Sequence, residues 1–289
     1  MLKGEDSLPF LAPLTAAITG GVCSILDKVA INRQKISWHN FLVVVFFLLF
    51  AFTAILYPFW GWIKIEALEA KYLILFVAEI ITSVGFNYYY YRSLEHQSLN
   101  EIEVSAMTAP IVRILLAALI FSSERNIHVF IAAIVASAAL IFAHIERKHI
   151  AFDKYSIGMI FYLFFVACEA LIIKELLDVY SPVGLYAIRC LIIFFVFAAM
   201  FKPKIENLNN RDWLYMTLVA IFAIPMMTLS YYGFYHYGIV YTTLILLLSP
   251  LIIFAGSALI FKEKIKKRII IAAIVIIAAI LYVNVMGYI

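Results

Sequence analysis

Residues 106–124 read AMTAPIVRILLAALIFSSE, and residues 246–263 read LLLSPLIIFAGSALIFKE. Pro110 and Pro250 stand early in the two runs. Ala118-Leu119-Ile120-Phe121 and Ala258-Leu259-Ile260-Phe261 close them, and the acids Glu124 and Glu263 follow. Upstream, Tyr91 and His96 keep the same offsets from the first proline that Tyr231 and His236 keep from the second. A proline repeated inside paired apolar runs points to two related helical halves around a shared site.

The surrounding sequence fits that reading. Apolar residues make up 65% of the 289 residues and charged residues 14%, too little polar surface for a soluble globule. A stretch of about 20 apolar residues spans the hydrocarbon core of a bilayer. Ten such stretches fall near 10–31, 41–63, 72–94, 100–122, 127–145, 155–177, 183–201, 213–236, 240–261 and 269–287. They are continuously apolar rather than alternating, which argues for helices over barrel strands. The expected fold is therefore all-α and polytopic, with ten transmembrane helices and no room for a soluble catalytic or receptor domain. The first span follows Met1-Leu-Lys-Gly-Glu-Asp6 without a basic n-region or a small-residue cleavage site, and is expected to be retained. Cys23, Cys168 and Cys190 all fall inside spans with no zinc or redox spacing, and read as packing residues.

The polar segment from Glu146 to Lys154 divides the chain into residues 1–148 and 149–289. The first spans of the halves also correspond. Cys23-Ser-Ile-Leu26-Asp-Lys28 resembles Cys168-Glu-Ala-Leu171-Ile-Ile-Lys174 with one residue inserted. Five spans per half is an odd number, so the second half crosses in the opposite sense and the repeat is inverted. Loops after odd-numbered spans carry most of the basic residues, Arg147, Lys148, Lys154, Lys202, Lys204 and the Lys262 to Arg268 cluster among them. The other side carries Lys3, Lys64, Lys71 and Arg125. The positive-inside rule puts both termini outside the cytoplasm.

Ser249-Pro250, followed by an apolar run ending Leu259-Ile260-Phe261-Lys262-Glu263, resembles the helix-nine box of EamA-type transporters of the drug/metabolite transporter superfamily. Ala109-Pro110 through Glu124 resembles its helix-four copy, and Lys28 and Lys174 match a lysine of the first helix of each half. The resemblance implies two inverted five-helix halves, with helices one to four and six to nine around a central cavity and five and ten packed outside. It also implies export of small metabolites, amino acids included, and termini in the cytoplasm, opposite to the charge count. Where the family has glycines in helices five and ten, this chain has alanines such as Ala132, Ala136, Ala272 and Ala279, which still permit close helix approach.

Charge deep in a span costs roughly 2.5–3.5 kcal/mol at the helix centre on insertion scales, so such residues are functional candidates. They are Glu79, Arg113, Glu169 and Arg189, open to two readings: fixed charge in a cavity, or a static ion-pair network. Arg113 lies near the helical face of Pro110, which frees a backbone carbonyl one turn earlier. Its guanidinium suits a carboxylate or phosphate; pairing with Glu79 or Glu103 is the alternative. Tyr91 and Tyr231 are cavity candidates because the repeat pairs them, and Pro110 and Pro250 are hinge candidates. Lys28 and Lys174 sit at helix ends and read mainly as snorkelling to headgroups.

Catalytic signatures such as His-Glu-x-x-His or Gly-x-Ser-x-Gly are missing from the sequence, so no enzyme, metal or cofactor is expected. A net charge of +4 in short loops gives no nucleic-acid footprint. The leading reading is a secondary transporter in the cell (inner) membrane, monomeric or weakly dimeric. It would move a small polar metabolite, an amino acid or related organic anion, by alternating access, with proton coupling through Glu79 or Glu169 left open. The alternatives are a non-transporting partner or assembly subunit and a lipid-handling flippase or intramembrane enzyme.

Overall fold

The computed structural model describes residues 10–96, 108–144, 154–203, 206, 208–261 and 267–286. Helices dominate: α1 (Leu11–Lys28), α2 (Trp38–Trp60), α3 (Ala70–His96), α4 (Ala109–Ile120), α5 (Ile127–His144), α6 (Lys154–Leu176), α7 (Pro182–Phe201), α8 (Asn210–Tyr237), α9 (Ile239–Leu246), α10 (Leu248–Phe261) and α11 (Lys267–Val285). In hydrocarbon every backbone group must be bonded within its own segment, which long apolar helices achieve. Among the described residues the only β pairing is an isolated antiparallel bridge, Ile63 to Tyr180.

Seven helical stretches among the described residues are long and apolar enough to cross a membrane: Leu11–Ile31, Trp38–Trp60, Ala70–Glu95, Pro182–Phe201, Asn210–Tyr237, Ile239–Gly256 and Lys267–Val285. The protein is thus a polytopic helical membrane protein. The expected count of ten is not met on this measure. Ala109–Ile120 and Ile127–Ala143 are apolar but shorter, and the expected span 100–122 starts outside the described residues. Helix α6 has 23 residues but carries Lys154, Glu169, Lys174 and Glu175. Glu103, residues 146–153 and the cluster from Lys262 to Lys266 also lie outside the described residues.

Local sequence explains where the helices begin and end. Ser181 caps α7 by accepting from the Gly184 N–H, with Pro182 following at the first helical position. Asn209 and Asp212 form a reciprocal capping box at the start of α8. The end of α1 widens into a π-helical turn, Val29–Arg33. Helices α9 and α10 are one apolar run broken at Leu247.

The helix pairing has an exchange pattern. Helix α3 packs on α6 and α1 on α8; α4 packs on α6 and α1 on α10; α2 packs on α7 and α5 on α11. Swapping α1 with α6, α2 with α7, α3 with α8, α4 with the α9–α10 run and α5 with α11 leaves this set unchanged. Small residues let the helices approach closely. A Cβ on Gly21 would sit 2.8 Å from Ile252, and one on Gly85 2.7 Å from the Phe165 ring. The alanines noted in the sequence serve the outer pair, with Ala132, Ala136 and Ala272 buried. The outward faces of α3, α5 and α11 expose Ile74, Val77, Ile131, Val135, Ile270 and Ile274, a surface suited to lipid.

Candidate functional site

A cavity of about 280 Å³ lies between the helices. Its walls come from α1, α2, α3, α4, α6, α7, α8, α9 and α10, and none of the lining residues is on α5 or α11. Most of the wall is apolar, with Phe46, Phe86, Met226 and Leu246 among its residues; the charged residues on it are Asp27, Arg113 and Arg189.

Arg189 on α7 anchors the polar interior. Its Nε lies 2.9 Å from Oε1 of Glu79 on α3, and its Nη2 lies 2.5 Å from Oε1 of Glu169 on α6. It also donates to the Tyr231 hydroxyl on α8. The Ser83 hydroxyl stands between the acids, 2.7 Å from Glu79 and 3.2 Å from Glu169. The guanidinium stacks near Phe86 and Tyr186, at 5.7 and 5.8 Å from the ring centres. Arg189 is 2% exposed. A cation so buried needs acids and acceptors around it, and one ion therefore binds four helices together.

Of the six residues expected to face a cavity, Tyr91, Arg113 and Arg189 line it. Glu79, Glu169 and Tyr231 stand behind, buried and turned toward Arg189. Arg113 makes no ion pair with Glu79. Its guanidinium lies 5.7 Å from the Phe234 ring centre, within electrostatic reach of Glu169, and its Nε has no hydrogen-bond partner.

The two hinge candidates stand at helix starts, Pro250 within the apolar stretch Ile239–Gly256. Pro110 sits in the first turn of α4 and Pro250 in the first turn of α10, where a missing N–H breaks no bond internal to that segment. Both line the cavity, with Ser249 beside Pro250. Prolines also lie inside two longer helices, Pro58 in α2 and Pro225 in α8. Lys28 ends α1 and is half-buried.

Lys174 does not snorkel. It pairs with Glu124, whose side chain is 4% exposed. The Glu124 carboxylate also accepts the Ile239 and Val240 N–H groups at the start of α9, at 2.8 and 3.0 Å. Gly238 makes this approach possible: its φ is +86°, and a Cβ there would lie 2.7 Å from the carboxylate. The same face is tied by neighbouring loops. Trp62 N–H donates to Ser181 Oγ at 2.9 Å, Ser181 N–H to the Trp62 carbonyl at 3.0 Å, and Lys64 N–H to the Val179 carbonyl at 2.9 Å. Lys71 pairs with Glu175 at 2.8 Å.

Asp27 was absent from the expected site. It is 5% exposed and lines the cavity. Its Oδ2 accepts from the Tyr91 hydroxyl at 3.1 Å, and its Oδ1 has no hydrogen-bond partner. It stands one residue before the helix-end Lys28, and the sequence holds no cue that Tyr91 reaches it.

These features define a class: a polytopic helical membrane protein with a solute-sized, charged cavity between its helices. Residues 154–285, from α6 through α11, match the model of the EamA-like transporter family, so this segment is similar to that family. A solved crystal structure covers 98% of this chain and 99% of its own length with a TM-score of 0.73 at 12% identity; at that identity the likeness concerns the fold. No curated protein matches the chain in sequence.

Proposed function

We propose that the protein is a secondary transporter that moves a small polar metabolite, of the amino-acid or organic-anion class, across the cell (inner) membrane by alternating access. The observation that carries this reading is the central cavity bearing Arg113 and Asp27, neither of which has an ion-pair partner among the described residues. Arg113 suits a carboxylate, Asp27 suits an ammonium group, and the apolar wall suits the rest of a small metabolite. A passive assembly subunit accounts for the Arg189 cluster but leaves this cavity without a purpose.

The exchange pattern of helix packing supports ten spans in two inverted five-helix repeats, residues 1–148 and 149–289. Alternating access follows when such halves trade conformations. The ties between residues 61–64 and 178–181 close the face reached by the C-terminal end of α2, whereas the cavity residues of α2, Leu42 to Leu49, lie in its N-terminal half. The conformation is therefore closed toward one side. By the distribution of basic loops the cavity lies nearer the cytoplasm, the loading side for an exporter.

The test is counterflow in proteoliposomes with a panel of radiolabelled amino acids and organic anions, chosen by a thermal-shift screen of the purified protein. Accumulation of a panel member by wild type, lost in Arg113→Gln at unchanged melting temperature, is the expected result. Full activity in folded Arg113→Gln would remove that residue from the site, and a panel with no counterflow would count against the transport reading.

A further inference from the structure

We infer that Asp27 is the carboxyl group that binds and releases a proton in the working cycle, and that Glu79 and Glu169 are not. The inference deepens the transporter reading and rests on it for the word cycle; the proton site itself stands on the geometry of the cavity.

Three acids are buried at the centre of the molecule, and their surroundings differ. Glu79 and Glu169 share Arg189 and the Ser83 hydroxyl, and neither lines the cavity. Their negative charge is answered by a fixed cation, Arg189, which itself lines the cavity. Asp27 lines the cavity, receives a single neutral donor from Tyr91 and has one oxygen, Oδ1, with no partner. A buried carboxylate without a cation is costly to maintain. A proton on Oδ1 removes that cost while Tyr91 goes on donating to Oδ2. The step is a simple association: a proton from water at the open end of the cavity joins Oδ1, the carboxylate becomes a carboxylic acid, and the proton returns to water when the cavity opens to the other side. A substrate ammonium group answers the same charge, so proton and substrate occupy Asp27 in turn.

The other titratable and charged groups on the cavity wall are Cys23 on the same helix, Tyr90 and Tyr91 on α3, Arg113 on α4, Tyr162 on α6, and Tyr186 and Arg189 on α7. Helices α2, α8, α9 and α10 contribute none. Tyrosine and cysteine at their ordinary values are uncharged at neutral pH, which leaves Asp27 as the acid of the wall.

Difference infrared spectroscopy of the protein in liposomes, titrated with buffer alone, reads this directly. A protonated-carboxyl stretch at the high frequency of a buried acid, set apart from the bands of the exposed carboxyls, is expected to titrate with pH in wild type, to be retained in Glu79→Gln and Glu169→Gln and to be absent in Asp27→Asn. Asp27→Glu restores it at a displaced frequency. Tyr91→Phe, which leaves the carboxyl in place, moves the titration midpoint and keeps the proposal testable where Asp27→Asn folds poorly. A titrating band that survives in Asp27→Asn, the absence of any titrating band in wild type, or an unmoved midpoint in Tyr91→Phe would overturn the assignment. A titrating Asp27 in protein without counterflow supports the proton site and counts against the transport reading, whereas counterflow without the band does the reverse.

Discussion

Arg189 cannot give up its proton, so its neighbours must accommodate a permanent cation. Arg189→Leu leaves Glu79 and Glu169 facing each other at the centre of the bundle with no cation between them. Loss of one partner of a buried ion pair costs about 3–5 kcal/mol, and a large fall in melting temperature in detergent is expected. Adding Glu79→Gln and Glu169→Gln to Arg189→Leu should recover much of that loss, since the interaction and not each residue sets the stability. A triple variant as unstable as Arg189→Leu alone would show that Arg189 acts through packing. The four buried charges were legible from sequence because charge inside an apolar span is conspicuous. Their partners were not, because Glu79 lies on α3, far along the chain from Glu169 on α6 and Arg189 on α7, and hydropathy does not show which helices pack together. Tyr91 and Tyr231 illustrate the limit. The repeat pairs them by position, yet one donates to Asp27 and the other accepts from Arg189. The repeat kept the phenol and changed its charged neighbour.

At the scale of elements, the start of α9 depends on a residue from the other half of the chain. A helix N-terminus presents unbonded N–H groups and partial positive charge. Here Glu124 supplies the acceptor, Lys174 balances it, and Gly238 clears the space. Gly238→Ala places a side chain in the left-handed region and against the carboxylate, and should destabilise by about 1–3 kcal/mol. Glu124→Gln should cost a similar amount, about 1–3 kcal/mol, by leaving buried groups poorly paired. Because both act on one contact, the double variant should melt close to the worse single one; full additivity in thermal unfolding would separate the two effects. Sequence located Glu124 as the end of the repeated run. It offered no reason to join Glu124 to Lys174 or to a helix that begins at Ile239. The prolines were also only half legible: their presence marked the repeat, whereas their position in first turns depends on the break at Leu247 and the start of α4 at Ala109.

For the whole molecule, the closed face is held by hydrogen bonds between residues 61–64 and 178–181, among them two between backbone groups and one from the Trp62 N–H to the Ser181 hydroxyl. Ile63 and Tyr180 oppose each other across the antiparallel bridge, a geometry within reach of a disulfide. Oxidised Ile63→Cys/Tyr180→Cys protein should bind ligand from the open side yet fail in counterflow, with reduction restoring it. Unimpaired counterflow in the fully cross-linked protein would mean that this face does not open during transport. The helical class came from hydropathy, and the proposed correspondence of halves from a constant offset. The closed face did not, because several of its ties are main-chain bonds, which carry no side-chain signature.

The Arg189 cluster has an electrical consequence. With both acids ionised it holds two negative charges and one positive in the middle of a medium across which the membrane voltage falls. Moving one net charge through the whole of that voltage is worth about 2.3 kcal/mol per 100 mV, and a smaller displacement earns its fraction. Helices α3, α6 and α7 carry the cluster, so in the proposed alternating-access cycle any rocking motion that shifts them along the membrane normal makes the resting balance of states depend on polarisation. In vesicles polarised by a potassium gradient, the oxidation rate of the Ile63→Cys/Tyr180→Cys pair should change with the sign of the potential; a rate indifferent to voltage would mean that the cluster stays level in the field while the rest of the protein moves around it.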